Sequence, residues 1–223
     1  MRLNRFVAGA SGLSRRAADA AIAAGRITVN GQPVALGALV APGDTIELDG
    51  QPLVLPQTHH YIMLNKPVGY VSSRRQQGGN PTVYDLLPPH YAALRPVGRL
   101  DRDSSGLLLL SDDGDFIHRY THPSFGKDKL YELALERPLT SADRRQLEAG
   151  VALADGPSRV RVAQAAGRQV AVVLGEGRNR QLRRTFGALG YGVTRLHRTA
   201  MGPYRLGQLA IGAWVAVEPE AAA

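Results

Sequence analysis

Residues 98–106 of the chain read Gly-Arg-Leu-Asp-Arg-Asp-Ser-Ser-Gly, and four leucines follow at residues 107–110. This is a polar loop with a glycine at each end that leads into a buried strand. Reactive groups often lie on such loops, because the strand beside them is rigid. The loop presents two carboxylates, Asp101 and Asp103, beside two serine hydroxyls. The spacing alone leaves two interpretations open: a reactive site, or a turn whose Asp and Ser side chains bond their own backbone.

Strand-like and helix-like segments alternate on both sides of this loop. Apolar runs predict strands at residues 61–64, 107–110, 130–135, 170–174 and 193–196. Helical patterns predict helices at residues 115–121, 141–149 and 179–189. This mixture indicates an α+β domain around a mixed sheet, which we place at residues 61–223.

The first 50 residues predict a smaller α/β unit. The predicted elements are helices at residues 3–10 and 15–24 and strands at residues 26–29 and 45–48. Ser14 lies where the cap of the second helix belongs, and Asn30-Gly31 is a typical tight turn. Residues 51–60 contain two prolines and little periodicity, which predicts a linker between the two units.

The composition excludes several classes of function. The 223 residues include no cysteine, which rules out disulfides, thiolate nucleophiles and cysteine-ligated metals. No apolar run approaches the roughly 20 residues needed to span a bilayer. The first residues lack the apolar core of a signal peptide, so we expect a cytoplasmic protein without a membrane partner.

The charge of the chain favours a nucleic-acid partner. The formal net charge is +8, and 24 arginines stand against three lysines. Arginine binds phosphate through a planar fork and stacks on bases, although a GC-rich genome would also raise the arginine content. Position is more informative than number, because seven arginines and no acidic residue fall between Arg178 and Arg205.

The N-terminal unit resembles the S4 domain, a small RNA-binding fold found in many RNA enzymes. The similar segments are residues 2–6, 14–19 and 27–31. The resemblance implies that Arg5, Arg15 and Arg16 face RNA. The alternative for each of these arginines is a solvated helix face.

Several motifs, in order along the chain, resemble those of the RsuA/RluB-type pseudouridine synthases. The loop at residues 98–106 is similar to that family's signature Gly-Arg-Leu-Asp, which is followed by Asp-Ser-Ser-Gly-Leu-Leu. Further similar segments lie at residues 64–69, 111–115, 121–123, 129–131 and 176–184. The resemblance implies a pseudouridine synthase domain that isomerises a uridine of ribosomal RNA and requires no cofactor.

The resemblance also implies roles for individual residues. Asp101 would be the catalytic carboxylate, which either attacks the anomeric carbon of the ribose or removes the neighbouring C2′ proton. Arg183, rather than Arg184, matches the cation that pairs with this carboxylate and keeps it ionised. Tyr131 matches an aromatic residue that packs on the flipped base, and Leu196 matches a leucine in the apolar wall of the pocket.

Other arginines near the loop and in the basic stretch are predicted to bind RNA. Arg178, Arg180 and Arg184 are expected to open the last predicted helix and to form a track for phosphates. The alternative for them is a solvated helix end. Arg99 and Arg102 are expected to hold either phosphate or the loop itself.

Three further features are predicted to have no chemical role. Asp103 fits a structural bond within the loop, and Lys66 is predicted to brace the loop against the neighbouring strand. His118 and His122 are four residues apart, as metal ligands on a helix often are, but the Glu of a His-Glu-x-x-His motif and a third ligand are both missing. We therefore predict no metal site.

The target of the enzyme is the least determined part of the prediction. The motifs favour ribosomal RNA, either free or in a pre-ribosomal particle, with a slight preference for the large subunit. Small-subunit ribosomal RNA and transfer RNA are the alternatives, and a non-catalytic RNA-binding assembly protein is the alternative class. A monomer is the default expectation for the oligomeric state.

Overall fold

The computed structural model describes residues 1–220, so the last three residues of the predicted catalytic domain lie outside the described residues. The chain forms two compact units, residues 1–60 with 112–114 and residues 61–111 with the chain after residue 114. No helix in the described part of the chain is long and apolar enough to cross a bilayer.

The smaller unit consists of two helices on a four-stranded antiparallel sheet. Its elements are α1 (Leu3–Ser11), α2 (Arg15–Ala23), β1 (Ile27–Val29), β2 (Gln32–Pro33), β3 (Ile46–Leu48) and β4 (Gln51–Pro52), with strand order β2-β1-β3-β4. The Ser14 hydroxyl accepts a hydrogen bond from the Ala17 amide, which is the predicted cap of α2. Apolar residues of both helices pack with Ile27 and Ile46 in a small core.

The linker predicted at residues 51–60 begins too early. Gln51–Pro52 forms a strand that pairs with β3, and Leu53 packs against the core of the smaller unit. Asp49 and Gly50 adopt positive φ values of 52° and 76°, which turn the chain back along β3. This short hairpin was not predicted because proline argues against a strand except at the edge of a sheet.

The larger unit is an α+β domain around a nine-stranded mixed sheet, as the sequence predicts. Its strands are β5 (Tyr61–Lys66), β6 (Arg95–Val97), β7 (Ser105–Ser111), β8 (Lys129–Leu135), β9 (Arg161–Ala166), β10 (Gln169–Leu174), β11 (Val193–Met201), β12 (Tyr204–Arg205) and β13 (Trp214–Ala216). Its helices are α3 (Gly114–Thr121), α4 (Ser141–Ala149) and α5 (Gln181–Ala188). The main path of the sheet is β13-β5-β7-β11-β8-β10-β9, with β6 paired to β7 and β12 paired to β11.

Apolar side chains cover both faces of the central strands. Leu108 and Leu110 of β7 belong to one core cluster, whereas Leu107 and Leu109 belong to the cluster on the other face. A strand that is buried on both faces reads as a continuous apolar run, which explains the four consecutive leucines. This rigid strand supports the loop that precedes it.

One row of residues across the central strands positions the site. Lys66 on β5 lies opposite Gly106 on β7. Gly106 in turn lies opposite Arg198 on β11, and Arg198 lies opposite Tyr131 on β8. Directly opposed residues point to the same face of a sheet, so the side chains of Lys66, Arg198 and Tyr131 share one face.

Candidate active site

The loop between β6 and β7 is held through its backbone by a buried lysine. The Lys66 ammonium donates hydrogen bonds to the carbonyl oxygens of Pro67 at 3.0 Å, Asp101 at 3.0 Å and Ser104 at 2.7 Å. Lys66 is fully buried, and its position at the end of β5 puts it directly below the loop. The predicted bracing role of Lys66 agrees with these three contacts.

Burial lowers the pKa of Lys66 to about 8, because desolvation disfavours the ammonium form. The charges of Asp101 and Asp103 act in the opposite direction, and the charge of Arg198 adds to the lowering. Lys66 is therefore mostly protonated at neutral pH but loses its proton at a lower pH than an ordinary lysine. The fixed hydrogen bonds to the loop depend on its remaining protonated.

A second set of contacts fixes the other side of the loop. The Ser72 hydroxyl donates to the Leu100 carbonyl at 2.9 Å and accepts from the Leu100 amide at 3.2 Å. The Gly69 amide donates to the Arg102 carbonyl at 2.8 Å. The segment after β5 thus binds the loop backbone and leaves the Asp101 carboxylate unused by these contacts.

The loop forms one wall of a cleft with a volume of about 340 Å³. Asp101, Tyr131 and Leu196 all line this cleft, as the resemblance implies. Tyr131 and Leu196 are each 7% exposed and lie on the neighbouring strands β8 and β11. The Asp101 side chain is about one-third exposed, so a ligand can reach it.

The guanidinium that lies beside Asp101 belongs to Arg180 and not to Arg183. Arg180 Nη1 lies 3.8 Å from Asp101 Oδ2. The same guanidinium binds both carboxylate oxygens of Asp103, at 3.0 and 2.8 Å. Arg180 precedes the first residue of α5 and has a left-handed φ of 46°, which directs its side chain towards the loop before the helix begins.

The expected ion pair between Arg183 and Asp101 is replaced by contacts to Asp103. Arg183 Nε lies 3.2 Å from the Asp103 carboxylate, and Arg183 Nη2 donates to the Asp103 carbonyl at 2.7 Å. Its Nη1 donates to the Val193 carbonyl at 2.6 Å. The hydrogen bonds from Arg180 lower the pKa of Asp103, and the charges of Arg183 and Arg180 add to this effect. The Asp103 carboxylate therefore bonds chiefly to the basic segment, and its own backbone amide adds the predicted contact within the loop.

Two of the predicted phosphate-binding arginines contact an acidic loop. Arg178 donates to the carbonyls of Asp155, Gly156 and Pro157 and to the Asp155 carboxylate, at 2.8–3.0 Å. Arg184 binds both carboxylate oxygens of Asp155, at 3.0 and 2.8 Å. Helix α5 begins at Gln181, so Arg178 precedes the helix that it was predicted to open.

The other predicted RNA-binding arginines lie on exposed surface. Arg99 lines the cleft, and Arg102 donates to the Asn80 side chain at 2.9 Å. In the smaller unit Arg5 lies on α1, and Arg15 and Arg16 open α2, all three exposed. Arg15 also donates to the Asn4 side chain at 3.2 Å.

Arg198 and Lys129 also line the cleft, and neither was predicted as a site residue. Arg198 is 2% exposed and donates through Nε to the Leu107 carbonyl at 2.7 Å. Lys129 is partly buried, and desolvation lowers its pKa. Both lie two residues along a strand from a predicted site residue, Arg198 after Leu196 and Lys129 before Tyr131. The period of two along a strand would have placed them on the same face.

The histidine pair was not predicted to bind a metal. The rings of His118 and His122 lie 4.9 Å apart between centroids, and the His122 ring accepts a hydrogen bond from the Ser124 amide. Within residues 1–220, no group of three His, Asp or Glu side chains is arranged to hold a metal ion.

Comparisons with known proteins assign both units to families. Residues 60–188 match the family described as RNA pseudouridylate synthase, and residues 1–46 match the S4 domain. A relative from Aquifex aeolicus (strain VF5), named as an uncharacterized RNA pseudouridine synthase, is 37% identical over 96% of this chain and 89% of its own length. The ribosomal small subunit pseudouridine synthase A of Yersinia pestis is 36% identical over 92% of this chain and 89% of its own length.

The fold agrees with these sequence matches. A crystal structure of a pseudouridylate synthase superposes with a TM-score of 0.72 at 32% identity. The match covers 98% of this chain and 96% of the other. The cleft beside Asp101 thus lies in a fold that a known pseudouridylate synthase shares over nearly its whole length.

Proposed function

Because the chain belongs to the RNA pseudouridylate synthase family, we propose that it isomerises a uridine of small-subunit ribosomal RNA, with Asp101 as the catalytic carboxylate. The name of the Yersinia pestis relative refers to the small subunit. The similarity to that relative supports the small subunit over the large-subunit target that the sequence motifs slightly favoured. Pre-ribosomal particles and free RNA are both substrates to test.

The observation that carries this proposal is the position of the Asp101 carboxylate. It opens into a cleft whose walls include Tyr131 and Leu196, and its backbone is fixed by the Lys66 ammonium. The Arg180 guanidinium lies 3.8 Å from this carboxylate. A flipped uracil would stack on Tyr131, with its ribose towards Asp101.

The isomerisation needs no atom beyond those of the uridine and the carboxylate. In one route an Asp101 oxygen attacks C1′, the C1′–N1 bond breaks, and its electron pair stays on the uracil. In the other route Asp101 removes the C2′ proton and the same bond breaks, again with the electron pair left on the base. The base then turns, C5 bonds to C1′, and Asp101 is released or returns its proton to C2′. C5 loses its proton and N1 gains one, so the product is an isomer of uridine.

The remaining roles follow from exposure and charge. Arg5, Arg15 and Arg16 lie on exposed helix surface of an S4 domain, which supports contact with RNA phosphates. Arg99, Arg180 and Arg184 are proposed to contact the RNA near the target uridine. We further propose that the protein acts as a cytoplasmic monomer.

The role of Asp101 is tested with the variant Asp101→Asn. The amide keeps the size of the side chain but neither attacks C1′ nor removes a proton. Single-turnover assays on small-subunit RNA should therefore show a loss of at least about 1,000-fold in pseudouridine formation. RNA affinity should change by less than about threefold, because the substitution removes no cation that could contact a phosphate.

The matched control is Asp128→Asn, which alters an exposed carboxylate paired with Arg161 at 3.5 Å. Its rate should stay within about twofold of the wild type, since exposed ion pairs contribute little. Pseudouridine formed by Asp101→Asn at the wild-type rate would refute the assignment. Mapping pseudouridines in ribosomal RNA from cells with and without the gene identifies the target, and a missing site in the large subunit would refute the small-subunit proposal.

A further inference from the structure

The cleft contains a buried cation that the proposed mechanism does not yet use. Arg198 is 2% exposed and is among the largest fully buried side chains of the protein. Its Nε donates to the Leu107 carbonyl at 2.7 Å, and its Nη1 lies 3.5 Å from the Tyr131 hydroxyl. Its Nη2 is buried and has no hydrogen-bond partner among residues 1–220. An unpaired buried guanidinium nitrogen is costly, so its retention calls for a function.

The sheet is built to hold Arg198 at this position. Gly106 on β7 lies opposite Arg198, and a β-carbon at Gly106 would collide with the Arg198 backbone. The φ of Gly106 is 106°, which also favours glycine. The parallel pair β7–β11 therefore closes tightly enough for the Arg198 side chain to bond the Leu107 carbonyl. The arginine is fixed before any ligand arrives.

Lys66, which lies beneath the loop, and Lys129, which lines the cleft, already have carbonyl partners. Lys66 binds three loop carbonyls, and Lys129 donates to the Lys127 carbonyl at 3.0 Å. Desolvation lowers the pKa of both lysines, and the charge of Arg198 contributes to the lowering in each case. Arg198, by contrast, retains an unpaired donor in the described structure. It is thus the cation best suited to meet a new negative charge.

Both of the routes that begin at the Asp101 carboxylate create a negative charge on the departing base. When the C1′–N1 bond breaks, its electron pair remains on the uracil, and the negative charge spreads over N1 and the two carbonyl oxygens. We propose that Arg198 donates to a carbonyl oxygen of the detached uracil and stabilises this anion. The inference rests on the proposed function and adds a catalytic residue to it. The contact strengthens as the bond breaks, which is the condition for a faster reaction.

Arg198 also contacts the residue on which the base would stack. Its guanidinium carbon lies 5.9 Å from the centroid of the Tyr131 ring, within the range of a cation–π contact. A base that stacks on Tyr131 therefore lies close to the guanidinium. The same arrangement keeps the anion in the cleft until C5 turns towards C1′.

The test compares two substrates with different leaving groups. Synthetic RNAs carry either uridine or 5-fluorouridine at the target position, and the disappearance of the N-linked nucleoside is measured in single turnover at saturating enzyme. Fluorine withdraws electrons and stabilises the departing base without help from the protein. Arg198→Met should slow the reaction of uridine about 100-fold but that of 5-fluorouridine less than about tenfold. Equal slowing of both substrates would overturn the inference and leave Arg198 a packing role.

Three further variants separate charge from packing. Arg198→Lys keeps a cation and should recover part of the loss on uridine, which also covers the case in which Arg198→Met fails to fold. Arg168→Met alters an exposed arginine in the β9–β10 turn and should change neither rate by more than about twofold. Tyr131→Phe removes the hydroxyl near Arg198. If Tyr131→Phe alone reproduces the substrate dependence of Arg198→Met, the effect belongs to Tyr131 and the inference fails.

The two levels of the proposal fail in different ways. Wild-type protein that forms no pseudouridine in any ribosomal RNA would end the proposed function. Active wild-type protein whose Arg198 variants lose the same factor on both substrates would end only the role of Arg198.

Discussion

The two segments that meet at the cleft use their charged residues differently. The backbone of the loop at residues 98–104 is held by Lys66 and Ser72, and its Asp101 carboxylate has an ion pair with Arg180 at 3.8 Å. The segment at residues 178–184 is held by its side chains, which bind the carboxylates of Asp103 and Asp155. A loop fixed by its backbone leaves its reactive side chain available to a substrate. A segment fixed by its side chains has fewer of them left to bind RNA.

The side-chain contacts of residues 178–184 change the interpretation of the basic stretch at residues 178–205. Seven arginines without an acidic residue indicate an RNA-binding surface, yet Asp103 and Asp155 reach them from distant parts of the chain, and Glu176 pairs with Arg178 from just outside the stretch. Arg178 is 20% exposed and donates to three loop carbonyls, so it braces a loop. Arg184 is 34% exposed and binds only the Asn179 carbonyl and the Asp155 carboxylate among its described partners. Because Arg184 is more exposed and has fewer partners, it can exchange its acidic partner for a phosphate more easily than Arg178 can.

Among the contacts that hold the two segments, the largest effect is expected where the backbone of the loop is released. Lys66→Met leaves the carbonyls of Asp101 and Ser104 without their shared donor. The displacement of Asp101 that follows should lower the single-turnover rate about 100-fold, because errors near 1 Å in a catalytic group cost this much. RNA affinity measured by filter binding should stay within about threefold. An unchanged rate would mean that the loop is held by Ser72 and Gly69 alone.

The pH dependence of stability provides a second measurement on the same variant. The pKa of Lys66 is lowered from its ordinary 10.5 to about 8 in the folded protein. Between these values the unfolded chain binds a proton that the folded protein has lost, so the free energy of unfolding rises with pH. Below pH 8 both states are protonated, and this contribution is absent. The free energy of unfolding is measured for both proteins by denaturant titration. The value for the wild type minus that for Lys66→Met should rise by about 3 kcal/mol between pH 8 and pH 10.5.

Most of the fold could be predicted because its strands are long and buried. Strands β7, β8 and β10 carry apolar runs that have no helical alternative, and Ser14 marks the start of α2. Strand β9 was missed, since five of its six residues are exposed and no period of two is visible. It forms because β10 offers an edge to pair with, a tertiary effect that local sequence does not encode.

Three residues of the candidate site could be predicted from the motifs, but its ion pairs and its other cations could not. Asp101, Tyr131 and Leu196 all line one cleft, as the motifs imply. Which arginine contacts Asp101 depends on one backbone angle, the left-handed φ at Arg180. A non-glycine residue in that region is uncommon, so the approach of Arg180 to Asp101 could not be predicted, whereas the pairing with Arg183 came from the resemblance. Arg198 was missed because a buried arginine is rare.

A smaller effect is expected where the two segments contact each other. Asp103→Asn removes the carboxylate that holds Arg180 and Arg183, and Arg180 should then move onto Asp101. The tighter ion pair makes Asp101 a weaker base and nucleophile, so the rate should fall about tenfold. The double variant Asp103→Asn with Arg180→Met should be faster than Asp103→Asn alone, because no arginine then covers Asp101. A double variant that is slower still would contradict this explanation.

The acid stability of the same variant checks the ion pairs themselves. The hydrogen bonds from Arg180 lower the pKa of Asp103 in the folded protein. A carboxylate with a lowered pKa stabilises the fold above its unfolded pKa, and this stabilisation is lost as the pH falls through the folded value. In thermal unfolding experiments, the Asp103→Asn variant should therefore lose less stability than the wild type as the pH is lowered. If the stability of both proteins falls equally as the pH is lowered, the ion pairs of Asp103 do not stabilise the fold.

The smallest effect is expected at the acidic loop that binds Arg184. Asp155→Asn releases the Arg184 guanidinium, while Arg178 still holds the loop through the carbonyls of Asp155, Gly156 and Pro157. A released arginine gains one phosphate contact, so RNA affinity at low salt should rise about threefold and the slope of log K against log[salt] should steepen by about 1. Adding Arg184→Met should abolish both changes. If Asp155→Asn instead weakens RNA binding, the ion pair between Arg184 and Asp155 holds residues 178–184 in the conformation that binds RNA. Arg184 then has a structural role like that of Arg178.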